Sequence, residues 1–332
     1  MTLDRRRLLE AMAGAATLGV LPLRALAAAS PAGTLKVATL KFGSLAWLLD
    51  TIAAEKLAEK AGVRIEPFEV ATNQAGPIAL LADEVDVMVS DWTWAMRQRS
   101  LGQALRFRPF SGTLGALMVP KDGAKTLADL EGKRIGVAGS AIDKTWILLR
   151  AYSRKELGRD IADITQPVFA AAPLVAEELR NGRIDACLNF WTYAARLEGA
   201  GFRPLLTADE MMSKLAIEPP PPLVGFIWKE ETERTKAAEL KAFFAAVEAG
   251  SDVLATSDAA FERLRPAMRA TSDAEFFALK AYYRSGIPKP WGAAQTEAAE
   301  RLFNLLVELG EKELVGGTKF DAKLFDGARD KQ

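Results

Sequence analysis

The sequence predicts an α/β protein built as two similar lobes, and three observations carry that expectation. Short apolar strands alternate with amphipathic helices from Leu35 onward, the order of a mainly parallel sheet covered on both faces. The order restarts after the polar stretch Pro120-Lys121-Asp122-Gly123. The third is a repeat: Val85-Asp86-Val87-Met88-Val89-Ser90-Asp91-Trp92-Thr93-Trp94-Ala95 returns without a gap as Ile184-Asp185-Ala186-Cys187-Leu188-Asn189-Phe190-Trp191-Thr192-Tyr193-Ala194, at a constant offset of 99 residues. In both copies a Trp-Thr pair follows a short strand and opens a helix. At 332 residues the chain is also too long for one compact domain.

Taken in order, Leu35 to Leu40 is the first strand, and Ser44 to Ala61 carries apolar residues at helical spacing with Gly62 as its stop. Val63 to Val70 alternates as a strand, Gly76 to Ala82 is a short helix around Pro77, and Val85 to Val89 is a compact apolar strand. Leu105 to Phe110 and Leu114 to Val119 are two further strands. In the second copy Ile135 to Ala138 is a strand, Ile142 to Glu156 a helix, and Val168-Phe169, Ile184 to Leu188 and Phe202 to Leu206 are strands. Pro219 to Pro222 then end regular structure, because proline donates nothing to a ladder and restricts the residue before it. After a strand from Leu223 to Trp228 the periodicity is helical over Ala237 to Val253, Asp273 to Tyr283 and Ala293 to Leu309.

Composition removes several functions. Lys+Arg and Asp+Glu both number 43, so no excess positive charge is available to neutralise phosphates, and nucleic acid is not an expected partner. The chain has no histidine, which removes His-based triads and the commonest general base. One cysteine, Cys187, allows neither an intrachain disulfide nor a CxxC site, and its apolar strand makes it an inert core residue.

Residues 1–27 are expected to be a signal peptide: Arg5-Arg6-Arg7, an apolar run from Ala11 to Leu23, and Ala25-Leu26-Ala27 before the cut. The run is shorter than the roughly 20 residues a spanning helix needs. The paired arginines suit twin-arginine export, with general secretory export as the alternative. Cleavage would leave a net charge of about −2 on the remainder. No later stretch is long and apolar enough to span a membrane, so the mature protein is expected not to be membrane-embedded.

The order of elements resembles a known family, as do the phrases Thr126-Leu127-Ala128-Asp129-Leu130-Glu131-Gly132-Lys133-Arg134-Ile135-Gly136-Val137-Ala138 and Leu179-Arg180-Asn181-Gly182-Arg183-Ile184-Asp185-Ala186. They are similar to periplasmic solute-binding proteins of ABC importers, in the group that takes nitrate, sulfonates, taurine and thiamine pyrimidines. The resemblance implies the type II periplasmic-binding-protein fold, with two doubly wound, mainly parallel sheets joined by crossover strands near Leu114–Val119 and Leu223–Trp228. On that pattern residues 28–116 begin the first lobe, 117–224 form the second, and 225–332 return to the first with the C-terminal helices. It implies a periplasmic monomer that needs no cofactor, captures a small organic solute, anionic, aromatic or both, and passes it to an ABC permease and its ATPase.

In open α/β sheets ligands sit outside the carboxyl ends of the strands. Ser90, Asp91, Trp92 and Thr93 fall at one such end, and Asn189, Trp191 and Tyr193 at the other. The two tryptophans are either aromatic walls facing each other across a cleft or plugs between sheet and helix. Asp91, aligned with Phe190, is a candidate for recognising an amine or amide. The resemblance adds the loops after the first strand of each lobe: Lys41, Phe42, Gly43 and Ser44 with Trp47 just inside the helix, Asn73 in a later loop, and Ser140, Lys144 and Thr145 in the second lobe. Ser44 and Ser140 are candidate N-caps whose free N–H neighbours favour an anion, and Lys41 adds charge. The plainer alternatives are a serine-capped surface loop, a simple turn at Asn73 and a solvated Lys144. The stretch from Gly139 to Thr145 lacks the spacing of a phosphate loop. Asp86 and Asp185 are expected to cap turns beside their strands, and Trp146 is a core candidate.

Three rivals share this architecture. An enzyme resembling the thiamine-pyrimidine synthases would consume an active-site histidine that this chain lacks. A ligand-sensing or adaptor protein would use the same lobes. A hard metal ion is the third, though no dense carboxylate loop is present.

Overall fold

The computed structural model describes residues 33–40, 43–72, 74–309, 316–317 and 319–325; the expected signal peptide lies outside them. The first run of elements is β1 (Gly33–Leu40), α1 (Ser44–Ala54), α2 (Leu57–Ala61), β2 (Val63–Val70), α3 (Ala75–Leu81), β3 (Val87–Asp91), α4 (Trp92–Ser100) and β4 (Leu105–Ser111). The second is β5 (Gly115–Val119), β6 (Arg134–Ala138), α5 (Lys144–Leu157), α6 (Ile161–Ile164), β7 (Gln166–Ala170), α7 (Ala172–Arg180), β8 (Ala186–Phe190), α8 (Trp191–Gly199), β9 (Arg203–Thr207) and α9 (Ala208–Lys214). Then follow β10 (Val224–Lys229), α10 (Glu230–Thr235), α11 (Ala237–Thr256), α12 (Asp258–Met268), α13 (Asp273–Ser285) and α14 (Ala293–Glu308).

The strands form two five-stranded sheets, ordered β2-β1-β3-β10-β4 and β7-β6-β8-β5-β9. Each has a parallel trio and one antiparallel strand inserted beside it. That inserted strand is the one the chain enters on crossing over: β5 runs antiparallel to β8 and β9, and β10 runs antiparallel to β3 and β4. The predicted α/β class with two mainly parallel sheets is what the structure shows.

The repeat found in the sequence is a repeat of contacts. Asp86 accepts the backbone N–H of Lys36 at 2.8 Å, and Asp185 accepts that of Arg134 at 2.9 Å, each tying its strand to the first parallel strand of its sheet. Both carboxylates are structural, though they bridge to a neighbouring strand and do not cap the turns beside their own strands as expected. Trp92 N–H donates to Leu223 O and Trp191 N–H to Leu114 O, both at 3.0 Å, so each Trp-Thr step is pinned to the residue before an inserted strand. Gly115 opens β5 at φ +150°, where a Cβ would lie 2.1 Å from Asn189 O, so this close crossing requires glycine.

Two local readings differ from the sequence expectation. The helix expected over Ser44–Ala61 breaks at Lys56, which takes a left-handed φ of 55°. The apolar spacing continues past the break, and both parts pack on α11, but α1 buries Leu45, Trp47, Leu48, Leu49 and Ile52 while in α2 Leu57, Ala58 and Ala61 are only half-buried. The strands at the repeat run to Asp91 and Phe190, two residues further than their apolar runs, which brings polar side chains to the sheet ends.

The C-terminal helices divide their contacts. α11 packs on α1, α2 and β1, and α12 on α1. α13 lies against α8 of the second sheet's layer. There Gly199 lets the backbones close up, since a Cβ would stand 2.5 Å from Glu275 Cα. Arg196 pairs with Glu275 and donates to Met268 O at 2.7 Å, and Tyr282 donates to Glu198 at 2.6 Å. The end of α13 also touches the first crossover, where Gly112 N–H donates to Gly286 O at 2.8 Å. The two sheets are therefore joined by two crossovers and by the α8–α13 contact.

Candidate functional site

Because helix starts and strand ends of both sheets converge, a cavity of about 250 Å³ forms between them. The first sheet's side supplies Thr39, Leu40, Gly43, Ser44, Val70, Thr72, Met88, Ser90 and Asp91. The second supplies Lys144, Thr145, Phe190 and Trp191, the end of β4 adds Phe110 and Ser111, and the crossover after it adds Thr113 and Leu114. Most of this lining is apolar, punctuated by hydroxyls. Among the described residues its ionic side chains are Asp91 and Lys144, and they face each other.

Asp91 ends β3 and caps α4, accepting Trp94 N–H at 2.9 Å and the Thr93 hydroxyl. Lys144 opens α5, whose N-cap is Asp143. Lys144 Nζ lies 3.4 Å from Asp91 Oδ2, so the pair spans the two sheets. Burial alone would raise the Asp91 carboxyl; the Lys144 ammonium and the hydrogen bonds from Thr93 and Trp94 more than reverse this and hold it below the ordinary range. Burial likewise opposes the Lys144 charge, and the Asp91 and Asp143 carboxylates overcome it, raising the ammonium above its ordinary value. Both groups are therefore charged at neutral pH.

Of the residues singled out in the sequence, Gly43, Ser44, Ser90, Asp91, Lys144, Thr145 and Trp191 line the cavity together. Lys41, Phe42 and Asn73 lie outside the described residues. The others are elsewhere. Trp92 is fully buried, edge-on to Phe325 at 5.8 Å, and its indole N–H finds no acceptor among the described residues. It is the plug between sheet and helix. Trp47 is buried against Trp191 and Tyr283, and Thr93 is buried with its hydroxyl on Asp91. Asn189 is buried and spends its amide internally, donating to Ala172 O and accepting from Phe190 N–H, both at 2.9 Å. Tyr193 packs beside the Cys187 cluster.

The two serine caps are corrected. Gly43, not Ser44, is the N-cap of α1, and Ser140 is an exposed loop residue while Asp143 caps α5, accepting Thr145 N–H at 2.8 Å. An aspartate takes the cap because its carboxylate reaches two free N–H groups at once. Lys144 is not the solvated lysine of the plainer reading, since Asp91 holds it.

Sequence reasoning missed Phe110 and Ser111 at the end of β4, Thr113 and Leu114 in the crossover, and also Thr39, Thr72 and Phe190. Phe190 had a signal: it aligns with Asp91 and precedes Trp191. Cys187 is fully buried, and burial pushes its thiol up to about 12, with a smaller opposing effect from Asn189. Among the described residues no group of three or more candidate ligands is placed to hold a metal ion, and no helix is long and apolar enough to cross a membrane.

This architecture is shared. The alkanesulfonate-binding protein SsuA from Xanthomonas axonopodis pv. citri, solved bound to MOPS, superposes with a TM-score of 0.67 at 18% identity, covering 90% of this chain and 99% of that one. The periplasmic aliphatic sulphonate binding protein SsuA from Escherichia coli gives 0.65 at 18% identity over 89% and 96%. The desulfurization enzyme DszB also matches, at 0.59 and 16% identity over 84% and 93%. Residues 108–260 match the family model described as NMT1/THI5 like. The chain has the periplasmic binding-protein fold and an NMT1/THI5-like region. No curated protein sequence matches it significantly. The NMT1/THI5-like region begins in β4 and ends in α12, so it takes in both crossovers and the whole of the second sheet. The resemblance drawn from the sequence phrases is thereby borne out.

Proposed function

We propose that this protein is the extracytoplasmic solute-binding component of an ABC importer, holding a small organic solute between its two lobes and delivering it to a permease. The observation that carries the reading is the cavity walled by both sheets and bridged by Asp91 and Lys144. The family resemblance adds the exported location, in the periplasm, and the permease with its ATPase as partners. Hinge closure needs no covalent chemistry: the lobes rotate about the crossovers and bury the solute. Lys144 offers an anionic head its counter-charge, but Asp91 beside it repels that head. A solute that carries both an acidic group and a hydrogen-bond donor satisfies the pair. Trp191 and Phe110 supply apolar and aromatic wall for the remainder, burial of which contributes roughly 25 cal/mol per Å².

A catalytic reading has the DszB likeness behind it. The chain offers it no histidine, and its one cysteine is buried as a thiol away from the cavity lining.

A thermal-shift screen against sulfonates, carboxylates, pyrimidines and amino acids tests the reading. A solute present at 100 times its dissociation constant stabilises by about 2.7 kcal/mol and raises Tm readably. Silence across every class would contradict capture of a small organic solute.

A further inference from the structure

A second, smaller hollow of about 10 Å³ lies behind the main cavity, lined by Ser251, Tyr283, Gly286, Ile287 and Pro288. The two spaces share Ser44, Phe110, Ser111 and Trp191 in their walls. These four residues border both spaces, and two of them are aromatic. Each ring is held from outside: Trp191 stands edge-on to Trp47 at 5.9 Å and to Tyr283 at 6.3 Å, and Phe110 edge-on to Phe226 at 5.3 Å. Trp191 is 9% exposed, so nearly all of the ring is packed.

We infer that Trp191 is the specificity-determining residue that sets how long a solute the cleft accepts, with the hollow behind it as space the indole denies. The inference rests on the proposed solute-binding role. The class it addresses is a solute whose head carries an acidic group and a hydrogen-bond donor, with an unbranched apolar chain directed at the partition that Trp191 and Phe110 form. The indole is braced by two aromatic neighbours, so it does not yield to an extra methylene as a lone side chain would. Removing it joins the main cavity to the hollow and lengthens the site toward the end of α13.

The test uses the 2-hydroxy-n-alkanesulfonates from ethane to octane chain length, whose hydroxyl offers Asp91 a donor beside the sulfonate, titrated calorimetrically into wild type, Trp191→Phe and Trp191→Ala. In the wild type affinity rises with chain length and then falls at a limit. In Trp191→Ala the limit moves out by two or more carbons, with a gain of about tenfold for the first two added methylenes. Trp191→Phe keeps a ring and shifts it less. A uniform loss at every length with the limit unmoved would overturn the inference, because Trp191 would then be only a wall. Crystals pressurised with xenon give a readout that needs no solute. Continuous xenon density from the main cavity into the hollow in Trp191→Ala supports the partition, and separate densities overturn it. If the wild type binds none of these sulfonates while xenon shows an opened partition, the fault lies with the proposed solute class and not with the partition.

Discussion

At the scale of single residues, two tryptophans at equivalent positions in a duplicated sequence have different surroundings, and the difference lies in what packs behind them. Trp92 meets Phe325, a residue 233 positions later with no counterpart in the second copy, and is sealed. Trp191 meets Trp47 and Tyr283 and keeps an edge on the cavity. Trp92→Ala should therefore lower unfolding free energy by about 3 to 5 kcal/mol in urea titrations, the range for deleting a buried large aromatic. A loss below about 1 kcal/mol would show that Trp92 is not a core plug. The Asp91–Lys144 pair has a pH signature. The Asp91 carboxyl is held below its ordinary 3.8, so its contribution is complete above that value and is lost as pH falls through the lower folded value. The Lys144 ammonium is held above its ordinary 10.5, so its contribution is complete below that value and is lost as pH rises through the higher folded one. The Tm difference between wild type and Asp91→Asn should be level across neutral pH and shrink in strong acid. A difference that changes between about pH 5 and 9 would mean that the pair is not the source.

At the scale of elements, the apolar runs placed all ten described strands and helical spacing placed the longest helices within about three residues, because burial on a sheet face or helix stripe leaves a period in the sequence, while shorter helices such as α7, α9, α10 and α12 were not placed. Lys56 shows where that fails: the apolar spacing runs on through a left-handed residue that leaves no mark in the period. The candidate site was legible at Ser90, Asp91 and Trp191, which sit on repeated strand ends and helix starts, while Lys144 came from a loop that the family resemblance supplied. It was illegible at Phe110, Ser111 and Thr113: the strand that ends at Phe110 and Ser111 was predicted, but that its end faces the cavity depends on elements far away in sequence, and Thr113 lies in a crossover that has no period. The α8–α13 contact was equally invisible, since it depends on Gly199 meeting Glu275 across 76 residues. Gly199→Val puts side-chain atoms into that backbone, and overpacking of this kind costs about 1 to 3 kcal/mol. Unchanged Tm in that variant would show that the helices are not closely apposed in solution.

At the scale of the whole molecule, the crossovers and the α8–α13 contact join the two sheets, and the Asp91–Lys144 pair reaches across the cavity between them. That arrangement suits the closure proposed for it. Small-angle scattering should show Lys144→Met more expanded than wild type without solute, and closer to it with a saturating solute from the thermal-shift screen. Identical scattering curves would mean that the pair does not hold the lobes together.

The most direct test is a crystal structure of the full chain with a solute that raises its Tm. The account predicts density in the cavity, within hydrogen-bond reach of Lys144 and Asp91 and in contact with Trp191. Density elsewhere on the protein, with the cavity between the sheets holding only solvent, would contradict it.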